Sequence, residues 1–229
     1  MTKSRKLIII GDSAFAEVAY EYFTHDSPYE VAGFSVEQAY LKKDRLFGLP
    51  VVPFEELPRH YSPDEYEVYA ALVYTQLNRL RARLSTAAKG MGFRLASYCS
   101  SRASVWPGTK LGEHTFIFEA NVLQPFVSIG DDTVLWSGNH IGHHSKIGSH
   151  CFIASHVVVS GFCAVGDYSF LGVNATLGNN VTVGRDCLIG AGAVVVKDVA
   201  DDTLVKGNLS DLQGKISARR FMKVPGDAS

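Results

Sequence analysis

The stretch IGHHSKIGSHCFI, from Ile141 to Ile153, returns to isoleucine at every sixth position. The same phase holds Val105, Leu111, Ile117, Leu123, Ile129 and Leu135 before it, and Val159, Val165, Leu171, Leu177, Val183, Ile189 and Val195 after it. Glycine often follows the aliphatic, as at 112, 130, 142, 148, 166 and 184. Two positions ahead of the aliphatic stands a small or β-compatible residue such as Thr133, Asn139, Ser145, Cys151, Cys163, Ser169 or Cys187. Six residues are too few for a helical hairpin but suit one short strand and a corner of a solenoid, whose parallel strands stack about 4.8 Å apart. The aliphatics then point to the axis and the small residues fit inside the corners. Because the phase does not slip between 105 and 195, no long loop should leave the solenoid.

Residues 1–98 lack the repeat and read as α/β. Strands are expected at Lys6–Ile10, Glu30–Val36, Leu49–Val52, Val68–Tyr74 and Phe93–Tyr98, with helices after Ser13 and over Asn78–Lys89. The turn from Gly11 to Ala16 falls between a strand and a helix, where backbone N–H groups can hold a phosphate. It retains only the first glycine of a dinucleotide fingerprint, so a structural turn and a nucleotide-sugar site are both open. The expected organisation is an α/β domain at 1–98, the β-solenoid at 99–200 and a tail at 201–229 capping its open end.

Of the 229 residues 46% are hydrophobic, and 22 basic against 23 acidic side chains leave a net charge of −1. No overall field favours nucleic acid or an anionic membrane. The start, MTKSRKLIIIGDSAF, has too short an apolar run for a secretion signal or a membrane span, so neither membrane insertion nor export is expected and the cytoplasm is the expected location. The four cysteines form no CxxC pair, and three fall in the small-residue register, which fits a reducing compartment.

Five of the eight histidines lie in one stretch: His140, His143, His144, His150 and His156. Histidine accepts a proton near neutral pH, as acyl transfer to an amine or hydroxyl requires. His143 follows inward Ile141 by two residues and therefore stands outside the core at a corner. His144 and His140 are the alternatives, and histidines that merely face water at corners are the plain reading. Asn139 shares the inward register and reads first as structural, although it and His140 could face an acceptor. His144, His150 and His156 also look like a zinc-ligand series, but six-residue spacing puts them on different faces of one coil.

The motifs GNHIGHHSKIG (138–148), GVNATLG (172–178) and IGAGAVVVKDV (189–199), preceded by a small α/β domain, resemble the sialic acid O-acetyltransferase and bacillosamine N-acetyltransferase group of hexapeptide-repeat sugar acyltransferases. The resemblance implies a Rossmann-like first domain followed by a left-handed parallel β-helix of about five coils. It implies acetyl-CoA, or another short acyl-CoA, as donor in a groove between the prisms of a homotrimer, and a nucleotide-linked sugar as acceptor. His143 matches the catalytic base. Ser13, Ala14 and Phe15, then Ser35 and Val36, then Tyr74 match the sugar-nucleotide positions. Phe152, Gly161, Val173 and Ala191 match the coenzyme A positions, and no metal is implied. The chain departs from the pattern where Ala14 replaces a glycine, where Ser35 and Val36 replace an acidic pair, at Tyr74 and at His144, which stands for the glutamate that usually orients the base. Gly207-Asn208-Leu209-Ser210 replaces a Gly-x-Pro-Ala. Two rival readings are a metal-dependent hydratase of the carbonic anhydrase type and a sugar-binding scaffold without catalysis.

Overall fold

A computed structural model describes residues 2–207. In the first domain β1 (Arg5–Ile10) is followed by α1 (Ala14–His25), β2 (Tyr29–Val36), the hairpin β3 (Arg45–Leu46) and β4 (Leu49–Pro53), the single turn α2 (Leu57–His60), β5 (Tyr66–Ala70), α3 (Arg79–Gly90) and β6 (Arg94–Leu95). The sheet order is β3-β4-β2-β1-β5-β6, parallel except for the β3–β4 hairpin. β1 is central and apolar on both faces, with Leu7, Ile8, Ile9 and Ile10 all buried, as a strand covered on both sides must be. Leu7 and Ile9 join α1 through Phe15, Ala16, Ala19 and Phe23, while Ile8 and Ile10 join α3 through Leu84 and Ala88.

Two strand boundaries differ from expectation. β5 ends at Ala70, so Tyr74 lies in the connection to α3. The expected strand at Phe93–Tyr98 is two strands: β6 closes the first sheet, and Tyr98–Cys99 pairs with Phe116–Ile117 as the start of the solenoid.

From Tyr98 onward two-residue strands recur every six residues and pair in parallel with strands 18 residues away, as in Phe116↔Val134 and Ile117↔Leu135. They form three sheets of seven, six and five strands, the faces of a prism. The face carrying Phe116, Val134, Phe152 and Phe170 is here called the covered face, that carrying Val122, His140 and Val158 the second, and that carrying Ser128, Lys146 and Ala164 the third. Ile117, Leu123, Ile129, Leu135, Ile141, Ile147 and their successors fill the interior. The small register has a polar function as well. Ser145 Oγ donates to the Ser160 carbonyl (2.8 Å) and accepts the Cys163 N–H (3.0 Å), and Thr133 and Ser169 do the same for Cys151 and Cys187. These bonds satisfy corner backbone groups inside an apolar prism, where an unpaired one would be costly.

Each corner turns on one residue in the left-handed region. His144, His150 and His156 hold φ of 60°, 57° and 58°, a conformation in which Asn, Asp and His are enriched. Their six-residue spacing is the spacing of corners and puts them on three different corners. The phase holds through Val195 and then shortens by two, since Val199 pairs with Val183 and Leu204–Val205 with Leu188–Ile189. This strand falls within the tail at 201–229 and continues the covered face; the rest of the tail, with Asn208, Leu209 and Ser210, lies outside the described residues.

The first domain sits on the covered face. Phe15, Tyr22 and Phe23 of α1 pack on Phe116 and Phe118, with ring centroids 4.8–6.2 Å apart, and Trp136 and Phe152 extend the cluster. Beside it Arg81 of α3, fully buried, donates from Nε to Asp132 Oδ1 (3.0 Å) and from Nη2 to the Asp132 carbonyl (2.7 Å). Domain and prism are thus joined by an aromatic core and one buried ion pair.

Candidate active site

The corner between the second and third faces carries, one coil above another, Phe126, His144 and Phe162 at its left-handed positions. The three rings stack, with centroids 4.5 Å apart for Phe126–His144 and 4.7 Å for His144–Phe162. His143 precedes His144 and is exposed. Its N–H donates to Gln124 Oε1 (2.9 Å), its ring meets Phe162 edge-on at 5.0 Å, and its Nδ1 lies 3.1 Å from His144 Nδ1. The ring edge lies over Gly161, where a Cβ would come within 2.8 Å of Cε1 and 2.9 Å of Nε2. Glycine at 161 therefore makes room for the imidazole, and Nε2 bonds to none of the described residues.

A second concavity, of roughly 540 Å³, opens at the carboxyl ends of β1 and β2. Gly11, Asp12, Ser13, Glu37, Thr75 and Gln76 line it with Arg83 of α3. Gly11 has φ +121°, and a Cβ there would press on the Ala71 carbonyl at 3.0 Å, so no other residue fits without strain. Gln76, Leu77 and Asn78 all hold positive φ at the entry to α3, a concentration of backbone strain of the kind found at ligand sites. Glu37 receives two bonds of 2.9 Å from Arg83, and these hold its carboxyl below the ordinary carboxylate range. The crevice beyond the carboxyl ends of parallel strands is the usual ligand position in such sheets.

The expected site residues divide between these places and others. Ser13 and Val36 line the cavity, and Ala14 is exposed as the first residue of α1. Phe15 and Ser35 do not reach it: Phe15 is buried in the interdomain cluster and Ser35 in the sheet. Tyr74 lies on Phe152 and Phe170, with ring centroids at 5.3 and 4.5 Å. Phe152 is buried on the covered face, stacked with Trp136 and Phe170. Asn139 is 1% exposed, and both ends of its amide are used, Nδ2 donating to the Trp136 carbonyl and Oδ1 accepting the Val157 N–H; it is a corner staple. His140 points outward between Val122 and Val158 on the second face. Gly161 shares its corner with His143, whereas Val173 and Ala191 precede the left-handed residues Asn174 and Gly192 of the corner between the covered and second faces. A spacing of 12 residues moves two faces round the prism, so these three do not form one column within the chain.

Sequence reasoning passed over Glu37, which stands one residue beyond the pair aligned with the acidic positions and was legible as the first carboxylate after β2. It also passed over the buried cluster at the corner between the third and covered faces. There His114 Nε2 accepts the Ala70 N–H (2.9 Å), so its Nδ1 carries the proton and donates to Asp132 Oδ1 (2.6 Å). His150 Nδ1 bonds Asp132 Oδ2 at 2.8 Å. Burial opposes the Asp132 charge, but Arg81 and the two imidazoles outweigh it and keep the carboxyl far below its ordinary range. Among the described residues no three His, Cys, Asp or Glu side chains meet in a metal-binding group.

The family described as bacterial transferase hexapeptide (six repeats) matches residues 126–161 and 162–197. No curated protein matches the sequence. Among solved structures, the chain is similar to perosamine N-acetyltransferase PerB from Caulobacter crescentus in complex with CoA and GDP-perosamine. Identity there is 28% over 87% of this chain and 92% of that one, with a TM-score of 0.77. The acetyltransferase domain of PglB from Neisseria gonorrhoeae FA1090 shares the fold over 91% of this chain and 99% of its own, with a TM-score of 0.80 at 24% identity. The matched repeats span residues 126–197, and the likenesses to solved structures extend the shared architecture to the first domain.

Proposed function

We propose that this protein transfers an acetyl group from acetyl-CoA to an amine or hydroxyl of a nucleotide-linked sugar, with His143 as general base on a left-handed β-helix. The observation that carries the reading is the His143 imidazole, exposed at a corner, seated over Gly161 and with Nε2 unpartnered among the described residues. A base so placed can take the acceptor's proton as its nitrogen or oxygen attacks the thioester carbonyl. Corner N–H groups are the natural donors to the developing oxyanion. The proton then leaves with the coenzyme A thiol. GDP-perosamine and CoA in the complex of the 28%-identical relative support this choice of partners.

The sugar-nucleotide occupies the first-domain cavity, a Rossmann-like crevice with Gly11 and Ser13 at the amino end of α1 beside the phosphates and Glu37 facing hydroxyls. That domain packs on the covered face, and the His143 corner lies between the other two faces. A second copy brings base and acceptor together, and it also joins the Gly161 corner to the Val173 and Ala191 corner as one donor groove. The second face and the His143 corner suit such contact, with Val122, Val158, Val194, Phe126 and Phe162 exposed. A homotrimer in the cytoplasm, where both substrates are available, completes the proposal. No described helix is long and apolar enough to cross a membrane. The test is thiol release from acetyl-CoA in the presence of GDP-perosamine and a panel of UDP-linked amino sugars, with molar mass by light scattering. Absence of acceptor-dependent turnover, or an active monomer, overturns the proposal.

A further inference from the structure

We infer that His144 is the positioning residue of His143: its neutral imidazole accepts the Nδ1–H of His143, which holds the base in the tautomer that leaves Nε2 free. The inference rests on the reading of His143 as base and adds the group that sets its proton. Two Nδ1 atoms 3.1 Å apart can hydrogen-bond only if one carries hydrogen and the other a lone pair. If His144 donated, His143 would carry its proton on Nε2, the atom that must accept one. The arrangement with His143 donating is therefore the one compatible with catalysis, because the partner of one ring nitrogen decides what the other can do.

His144 is itself held. Its ring is sandwiched between Phe126 and Phe162, at 4.5 and 4.7 Å, and stands edge-on to His143, with an interplanar angle of 89°. The other groups around the pair come from the coil below, Gln124, Pro125 and Phe126, and the coil above, Ser160, Gly161 and Phe162, with outward His140 and Lys146 on the flanking faces. None is a carboxylate. In the reaction the acceptor's proton moves to Nε2 as its nitrogen or oxygen bonds the acetyl carbon. The resulting imidazolium keeps its Nδ1–H on His144, and its Nε2 proton passes to the coenzyme A sulfur as the carbon–sulfur bond breaks. His144 must stay unprotonated throughout, so the pair accommodates one extra proton.

The column supplies its own control. Phe126 and Phe162 hold φ of 68° and 60° at the positions equivalent to His144, so His144→Phe keeps the turn and the stack while removing both ring nitrogens, of which Nδ1 is the one that bonds His143. It should lower kcat roughly tenfold with KM for acetyl-CoA unchanged, at the lower end of the roughly 10–100-fold lost when a hydrogen-bond partner that orients a functional histidine is removed. The ¹⁵N spectrum of His143 should change from the Nδ1–H to the Nε2–H tautomer, a signature that needs no acceptor substrate. His144→Glu should restore kcat to within about threefold and move the acid limb of the pH profile up by about one unit, since a carboxylate favours the imidazolium. A His144→Phe protein with wild-type kcat and an unchanged tautomer overturns the inference while the base reading stands. A folded His143→Ala protein that still turns over overturns the base reading and the inference with it.

Discussion

Two corners of the same prism carry histidines in the same register, and what lies opposite gives them different chemistry. At the corner between the third and covered faces, Asp132 and His150 turn successive coils, and α3 closes over them so that Arg81 and Asp132 leave solvent together. Every polar atom of the Asp132 carboxylate is bonded there, and the cluster holds two domains in place. At the corner between the second and third faces, Phe126, His144 and Phe162 turn the same coils, but among the described residues no element closes over them and none bonds His143 Nε2. The repeat specifies where histidines can stand. The neighbouring element determines whether they become structure or a site.

The largest expected effect is at the closed corner. Arg81→Met leaves the Asp132 carboxylate buried without its cation, which costs about 3–5 kcal/mol when one partner of such a pair is removed. Chemical denaturation should show this loss, with the first domain released before the prism. A variant as stable as the native protein would mean that the Arg81–Asp132 pair contributes nothing to joining the domains. Next comes the open corner, where His143→Ala should lower turnover by roughly 10²-fold, the scale of a positioned general base, without changing the melting temperature. Near-native steady-state rates in the folded variant would make the two corners chemically alike.

The difference between the corners was only partly legible in the sequence. Ile141, Ile147 and Ile153 announce the prism because an inward aliphatic is required at each strand, and His143 follows from them as an outward corner residue. Three of the cysteines were recognisable as core members on the same ground. The closed corner was not legible, because Arg81 and Asp132 are 51 residues apart and the period that makes Asp132 a corner residue does not tell which side chain of the first domain closes over it. For the same reason Phe152 read as a coenzyme contact: the repeat shows that it points outward, not that α/β packing covers that face. Phe15 was aligned to a glycine-rich turn, Ser35 to an acidic pair and Tyr74 to a position where glycine is usual, patterns this chain has partly abandoned, and packing turned Phe15 and Tyr74 toward the prism.

The first-domain cavity sharpens the comparison from outside the prism. Glu37 is a half-buried carboxylate at the cavity rim, paired with the exposed Arg83, so Glu37→Gln should change stability by no more than about 1 kcal/mol. If it faces sugar hydroxyls, it should weaken sugar-nucleotide binding by roughly tenfold, near 1.4 kcal/mol. Calorimetry with GDP-perosamine and UDP-linked amino sugars measures this, alongside an unchanged affinity for acetyl-CoA. Unaltered binding would leave the cavity without a recognition residue on its acidic side.

The smallest effect expected is from His150, the counterpart of His144 at the next corner. Its ring stacks on Tyr168 at 4.5 Å, and its Nδ1 reaches Asp132 Oδ2, but the side chain is 24% exposed and Arg81 and His114 remain to hold the carboxylate. His150→Ala should therefore cost about 1 kcal/mol, the net worth of one hydrogen bond, and leave kcat unchanged. The dependence on pH has a definite sign. The folded protein keeps Asp132 ionised far below the ordinary carboxylate pKa, so its contribution to stability is complete above that range and is lost as pH falls through the depressed folded value. Because the unfolded chain takes up that proton below about pH 4 in both proteins, both stabilities should fall together there, and the Asp132 contribution to the gap between native and His150→Ala should persist to pH 3. Denaturation curves at pH 7, 5 and 3 measure it. A His150→Ala protein that loses turnover while keeping its stability would show that this corner, too, does chemistry.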